Sequence, residues 1–91
     1  MSEAPEDKTP VNARIETAIL ELLGKAGPGK SISPEEVARA VEPEAWRRQL
    51  SHVRGTAVAL AREGRLVILR HNKPADPDDF KGVWRMRLPE A

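Results

Sequence analysis

The side chains of this 91-residue chain that could do covalent chemistry are few, and their positions do not favour catalysis. His52 and His71 are the only histidines, and cysteine is absent, so a nucleophile would have to be a serine. Ser31 and Ser33 stand where a helix start needs them, and no strand-to-helix nucleophile turn surrounds Ser51. The sequence therefore predicts a protein that is not an enzyme and has no catalytic residues.

A group of carboxylates near the C-terminus is the one candidate for a metal site. Asp76, Asp78 and Asp79 offer clustered oxygens of the kind that Ca²⁺ and Mg²⁺ prefer. No glycine-turned loop with a distant glutamate accompanies them, and aspartate beside proline is typical of turns. Phosphate-cradling motifs with Gly-Lys-Ser/Thr are absent as well. We expect a turn here, with no metal, no cofactor and no small-molecule substrate.

The charges are distributed unevenly along the chain. Residues 1–44 hold five Lys/Arg and nine Asp/Glu, whereas residues 45–91 hold ten and five. Such asymmetry can mark a face that binds nucleic acid. The alternative is that mixed charges only keep a small domain in solution.

Three predicted helices must position the arginines, and the first of them is indicated by its apolar residues. Ile15, Ile19, Leu22, Leu23 and Ala26 recur at helical spacing. We expect this first helix to start at Thr9-Pro10 and to end at Gly27-Pro28-Gly29.

The segment Ser33-Pro34-Glu35-Glu36 is typical of a helix start. The side chains of Ser33 and Glu36 can each accept a hydrogen bond from the backbone N–H of the other. The second helix is expected from Pro34 to Val41. A third follows near Leu50–Glu63, before the stop at Gly64.

An antiparallel hairpin is expected at the end of the chain. Leu66–Arg70 is rich in β-forming residues, and Val83–Leu88 alternates between apolar and basic side chains. Asn72–Lys81 would form a long loop, or wing, between the two strands.

This order of elements predicts an α+β winged helix-turn-helix, with three helices and a small antiparallel β-hairpin wing. Residues 1–9 would be a flexible N-terminal tail, and residues 10–89 a single winged-helix domain. Both tryptophans are expected in the core rather than in a site. The predicted core consists of Ile15, Ile19, Leu22, Val37, Val41, Val53, Ala57, Leu60, Leu66, Ile68, Trp84 and Met86.

Several of these segments together resemble a known protein family. They are Ser31 to Arg39, Trp46-Arg47, Val53-Arg54, Ala57, Leu60, Gly64, Lys73 to Pro77 and Lys81 to Arg87. The resemblance is to small bacterial proteins catalogued as domain of unknown function 3253, and it covers roughly Ile15–Leu88. It implies a bacterial winged helix and no particular activity. The chain departs from the family pattern at Ser33, where cysteine is common, and at Val83-Trp84, where Pro-Ile is common.

Phosphate contact is the chemistry that these residues favour most. The face of the third helix opposite the core holds Ser51, Gly55, Val58, Ala59 and Arg62, which is a poor set for reading bases. Arginines in the second half could still supply a positive surface that does not depend on sequence. The predicted nucleic-acid contacts are Arg47, Arg48, Ser51, His52, Arg54, Arg62, Lys73, Arg85 and Arg87.

Other interpretations of the same residues stay open at this point. Arg85 and Arg87 could simply occupy the solvent side of an edge strand, where charge discourages sheet-to-sheet pairing. The third helix face around Gly55, or the wing hairpin, could bind another protein instead of duplex DNA. The N-terminus has no apolar segment of the signal-peptide kind, and no stretch approaches the ~20 apolar residues of a membrane span. We therefore expect a cytoplasmic protein with no membrane partner.

Overall fold

Three α-helices and a four-stranded antiparallel sheet make up the computed structural model, which describes residues 11–89. The predicted tail, residues 1–9, and the expected helix start at Thr9-Pro10 lie outside the described residues. The elements in chain order are α1 (Val11–Ala26), β1 (Ser31–Ile32), α2 (Pro34–Val41), a 3₁₀ helix (Trp46–Gln49), α3 (Leu50–Arg62), β2 (Val67–Arg70), β3 (Lys73–Pro74) and β4 (Arg85–Arg87). The α+β class predicted from the sequence is confirmed.

Helix α1 lies against both other α-helices through a single apolar face. Ile15, Ile19 and Leu23 are fully buried, which is the i, i+4, i+8 spacing of one helix side. Leu22 was expected in the core but is only half-buried, because it lies one residue off that line. The helix ends where Gly27 adopts a φ of 87°, a left-handed conformation that glycine reaches without a Cβ clash.

Helix α2 begins with the reciprocal cap that the sequence predicts. Ser33 Oγ accepts from Glu36 N–H at 3.1 Å, and Glu36 Oε2 accepts from Ser33 N–H at 3.0 Å. Pro34 occupies the first turn, where its missing N–H is not needed. Val37 and Ala38 are buried, but Val41, also expected in the core, lies at its half-buried margin.

Helix α3 packs against α1, α2, the 3₁₀ helix and β2. Val53, Ala57 and Leu60 form its core face, as predicted, and Thr56 is the one polar side chain buried with them among the described residues. After Arg62 the chain turns at Gly64, whose φ is 76°. The N–H of Arg65 then donates to the carbonyl of Leu60 at 2.9 Å, which closes the helix end.

The sheet has the strand order β1-β4-β2-β3, with all neighbours antiparallel. Met86 pairs with Ile32 on one side and with Ile68 on the other, and all three side chains are buried against the helices. Strand β4 is therefore central. The interpretation of Arg85 and Arg87 as residues of an edge strand was wrong, since β1 covers the side of β4 that the sequence left open.

The connection between β2 and β4 contains a strand that the sequence analysis missed. His71 and Asn72 have φ values of 53° and 66° and form a two-residue turn, after which Lys73 pairs with Arg70. Two consecutive positive φ values are typical of the tight turns whose twist matches that of hairpin strands. Pro74 is compatible with this position because β3 is an edge strand.

The segment of residues 75–84, called here the α3 loop, returns the chain from β3 to β4 and packs back on the domain. Phe80, absent from the predicted core, is buried, and its ring meets Trp84 edge-on with 5.3 Å between centroids. Trp84 is buried as expected, whereas the neighbouring Val83 is 82% exposed. The loop therefore contributes an aromatic pair to a core that is otherwise aliphatic.

Candidate nucleic-acid interface

A tryptophan flanked by arginines lies at the junction of α2, the 3₁₀ helix and α3. The Trp46 ring was expected in the core; it is half-buried and packs against the core from its edge. The guanidinium carbons of Arg39 and Arg47 lie 4.5 and 4.6 Å from its ring centroid. Cations at this distance are attracted by the ring and hold their orientation. We call Arg39, Trp46, Arg47 and Arg48 the Trp46 cluster.

Two members of the Trp46 cluster also bind carboxylates, one within α2 and one on the residue that follows it. Arg39 pairs with Glu35 at 2.7 Å, one helical turn away, and Arg48 Nη2 lies 3.1 Å from Glu42 Oε2. The hydrogen bond from Arg48, and a second one at 2.7 Å from Gln49 Nε2, hold the pKa of Glu42 below its ordinary value. Arg47 makes no ion pair within the described residues, so its charge is not compensated by a neighbouring carboxylate.

The first turn of α3 continues from this cluster. Ser51 and His52 are exposed, and Ser51 follows Arg47 at a spacing of four residues. The predicted contacts Arg47, Arg48, Ser51 and His52 are thus brought together where the chain enters α3. The 3₁₀ helix runs directly into α3, and the Leu50 N–H donates to the carbonyl of Arg47, so the arginine side chains rather than free backbone N–H groups provide the positive charge here.

The two arginines farther along α3 are engaged by the α3 loop. Arg54 Nη2 donates to the carbonyl of Phe80, and the Arg54 guanidinium carbon lies 3.9 Å from the Phe80 ring centroid. Arg62 donates from both Nε and Nη2 to Asp78 Oδ1. Val58, which falls between the two arginines at helical spacing, is half-buried. The loop therefore lies along the side of α3 that carries its long basic side chains.

The arginines of β4 interact with the chain itself. Arg85 Nε donates to Ser31 Oγ at 2.7 Å and Arg85 Nη2 to the carbonyl of Ser31 at 3.0 Å, which ties β4 to β1. Arg87 Nη1 donates to the carbonyl of Leu88 at 3.3 Å. Both side chains are half-buried and bond to groups of the chain itself. They therefore stabilise this part of the fold in addition to any contact with a ligand.

The remaining basic residues differ in availability. Lys73 is exposed on β3 beside the His71-Asn72 turn. Arg65 pairs with Glu16 at 2.9 Å, and Arg70 Nη1 donates to the carbonyl of Val83 at 2.6 Å. Lys73 is thus the exposed cation of the hairpin that β2 and β3 form, and it is distant in sequence from the Trp46 cluster.

A groove runs between α1 and α3, lined by small and polar residues of α3. Gly55 is exposed, and a Cβ placed on it would meet nothing within 4 Å. Thr56, only 8% exposed, lies at the groove floor, and its hydroxyl oxygen has no hydrogen-bond partner in the described part of the chain. This oxygen is itself enclosed, so the surface of the groove is formed by exposed residues such as Gly55 and Ala59.

The acidic segment of the α3 loop is a turn, as expected. Asp76 Oδ1 accepts from Asp78 N–H at 2.9 Å, and the Asp76 carbonyl accepts from Asp79 N–H at 3.0 Å. Within residues 11–89, no three His, Asp or Glu side chains come together as metal ligands would. Over the same residues, each helix is too short or too polar to cross a bilayer.

Sequence reasoning missed two relationships that shape this surface. It treated Trp46 and the arginines around it separately, although Arg39 and Arg47 both lie against its ring. It also predicted a turn at the loop aspartates, but not an ion pair between Asp78 and Arg62. The first had a signal, namely three basic residues close to an aromatic one. The second joins residues 16 positions apart and had none.

Comparison with known proteins gives a family and nothing beyond it. Residues 12–89 match the family model described as "Protein of unknown function (DUF3253)". No curated protein matches the chain.

Proposed function

The chain belongs to the DUF3253 family, and we propose that it is a non-catalytic winged-helix module that binds the phosphates of duplex DNA weakly and with little regard to sequence. In this proposal α2 and α3 form the helix-turn-helix and the β2–β4 region forms the wing. We propose that it acts in a bacterial cytoplasm, and the absence of cysteine suits that reducing compartment.

The single observation that carries the proposal is the exposed Arg47 beside Trp46 at the entry to α3. Its guanidinium is oriented by the ring and makes no ion pair with a described carboxylate. An oriented guanidinium presents its N–H groups as a fork that matches phosphate oxygens. Ser51 and His52 follow on the first turn of α3, where their exposed hydroxyl and imidazole groups add side-chain donors.

The rest of α3 supports phosphate contact rather than base recognition. Ser51, Gly55 and Ala59 are exposed but short, and Arg54 and Arg62 are held by the α3 loop. Reading bases in the major groove needs long donors and acceptors along the helix. We therefore place the main contacts at Arg47, Arg48, Ser51 and His52, with Lys73 of the hairpin as an outlying one.

An NMR titration tests the proposal. Labelled protein is titrated with a mixed-sequence duplex at low and at moderate salt. We expect shifts confined to residues 46–52 and the hairpin, which disappear as salt rises, because counterion release drives such binding. A spectrum that stays unchanged at low salt would rule out DNA binding.

A matched pair of variants locates the surface. Arg47→Gln and Lys25→Gln each remove one positive charge, but Lys25 is exposed near the end of α1 and is not one of the proposed contacts. Arg47→Gln should weaken binding to every duplex alike. The fall of log K with log salt should become shallower by about 0.9, since one phosphate contact is lost. Lys25→Gln should leave that slope unchanged. Equal effects of the two would show attraction by net charge alone.

The groove between α1 and α3 favours one alternative, a protein-interaction module. The open space at Gly55 lets another chain approach the α3 backbone between exposed residues of both helices. Ala13→Leu would narrow the groove from its α1 side, where no proposed DNA contact lies. If the function is protein binding, this variant loses the partner; if it is DNA binding, the duplex affinity is unchanged.

A further inference from the structure

Asp78 holds Arg62 in the way that a phosphate would. Arg62 donates from two nitrogens, Nε at 2.9 Å and Nη2, to the same carboxylate oxygen. Carboxylates and phosphates accept the guanidinium fork in the same manner, with two N–H groups directed at anionic oxygen. The contact therefore occupies the Nε–H and Nη2–H edge that Arg62 would otherwise present to a DNA backbone.

The α3 loop that carries Asp78 is anchored independently of this ion pair. Phe80 is buried, its ring packs on Trp84, and its carbonyl accepts from Arg54. The pair itself is in water, with the Arg62 and Asp78 side chains 62% and 58% exposed. Solvent can thus reach the pair and exchange its partners while Phe80 keeps the loop in place.

We infer that Asp78 is a built-in competitor of phosphate at Arg62, so that α3 contains a latent phosphate site that the chain covers with its own carboxylate. The inference rests on the proposed function, since it concerns the same DNA phosphates. It explains why the longest basic side chain on the outward face of α3 is paired with an acidic loop. A phosphate that binds there must displace Asp78 or approach against its charge.

Competition from an exposed ion pair is weak, which sets the size of the effect. Exposed pairs shift an equilibrium by at most about fivefold. Release of Arg62 should therefore tighten DNA binding about two- to fivefold. It should also add one phosphate contact, which steepens the slope of log K against log salt by up to about 0.9.

Asp78→Asn and Asp79→Asn form a matched pair for the test. Both remove one negative charge from the same exposed turn, but Asp79 forms no ion pair within residues 11–89. Binding of each full-length variant to a labelled mixed-sequence duplex is measured by anisotropy at several salt concentrations. Thermal unfolding by circular dichroism confirms that both variants are folded. The double variant with Arg62→Gln should lose the gain of Asp78→Asn.

The outcomes separate this inference from the proposed function. Tighter binding and a steeper salt slope for Asp78→Asn than for Asp79→Asn, abolished by Arg62→Gln, would establish the competition. Equal affinities and slopes for the two variants would overturn the inference and leave DNA binding intact. No binding by any variant, Asp78→Asn included, would overturn both.

Discussion

Arg54 both stacks on Phe80 and donates to its carbonyl. The guanidinium carbon lies 3.9 Å from the ring centroid, and Nη2 bonds the carbonyl oxygen of the same residue. One side chain of α3 thereby fixes both the ring and the backbone of a loop residue 26 positions away. The α3 loop owes its position to this contact and to the burial of Phe80, more than to the exposed Arg62–Asp78 pair.

Arg54→Lys should therefore destabilise the domain although it keeps the charge. A lysine ammonium cannot stack as a plane and donate sideways at once, so the loss should be about 1–2 kcal/mol in the free energy of unfolding. Arg62→Lys is the matched control on the same helix, and it should cost under about 0.5 kcal/mol because its pair is exposed. Urea denaturation measures both. Equal losses would mean that Phe80 anchors the loop without Arg54.

The neighbouring leucines of α1 provide a test of the helix phase. Leu23 is fully buried, whereas Leu22 is half-buried. Leu23→Ala should lower the free energy of unfolding by about 2–5 kcal/mol, since it removes methyl groups from a closed core. Leu22→Ala should cost clearly less, because solvent already reaches that side chain. The opposite order in denaturant unfolding would contradict the observed phase.

Local patterns made much of the helical part predictable. The cap at Ser33 and Glu36, the bounds of α2, and most of the core face of α3 depend on residues close together in the chain. Such elements are encoded by spacing and capping chemistry alone. The exchange of Leu22 for Leu23 in the core shows the limit, since two adjacent leucines fit a helical stripe equally well.

Contacts between distant segments were not predictable in the same way. Strand β1 has two residues, and only its pairing with β4 makes Arg85 and Arg87 part of a central strand. The attachment of Asp78 and Phe80 to α3 likewise depends on where the loop returns in three dimensions. These contacts decide which arginines of the candidate surface are available to a ligand. The sequence could therefore predict which arginines belong to the surface, but not which of them are already engaged by other parts of the chain.

Glu42 should make the stability of the domain depend on pH on the acidic side. The hydrogen bonds from Arg48 and then from Gln49 lower its pKa in the folded state. A lowered pKa contributes stability that is present above the pKa of the unfolded chain and is lost as the pH falls through the folded value. Glu42→Gln should therefore reduce stability near neutral pH and lose this difference in acid.

Carboxyl NMR titration gives the direct measurement for Glu42. In Arg48→Gln the pKa of Glu42 should rise towards its ordinary value, because the largest cause of the shift is removed. Arg47→Gln, one residue away and without a contact to Glu42, is the control. An unchanged pKa in Arg48→Gln would mean that Gln49 and general electrostatics account for the shift.

Ser33→Ala should destabilise the domain by about 1 kcal/mol. The substitution leaves the N–H of Glu36 without its acceptor at the start of a helix of eight residues, which has few other bonds to hold its first turn. Ser51→Ala is the matched control, because Ser51 is exposed and makes no side-chain hydrogen bond within the described residues. Its change should stay within about 0.5 kcal/mol. Thermal and urea unfolding of both variants, with the DNA titration repeated on each, separates the two serines by role. Ser33→Ala should alter stability and leave DNA affinity unchanged, whereas Ser51→Ala should weaken binding of a folded protein. A stable Ser33→Ala variant that has lost DNA binding would contradict the structural role given to the cap.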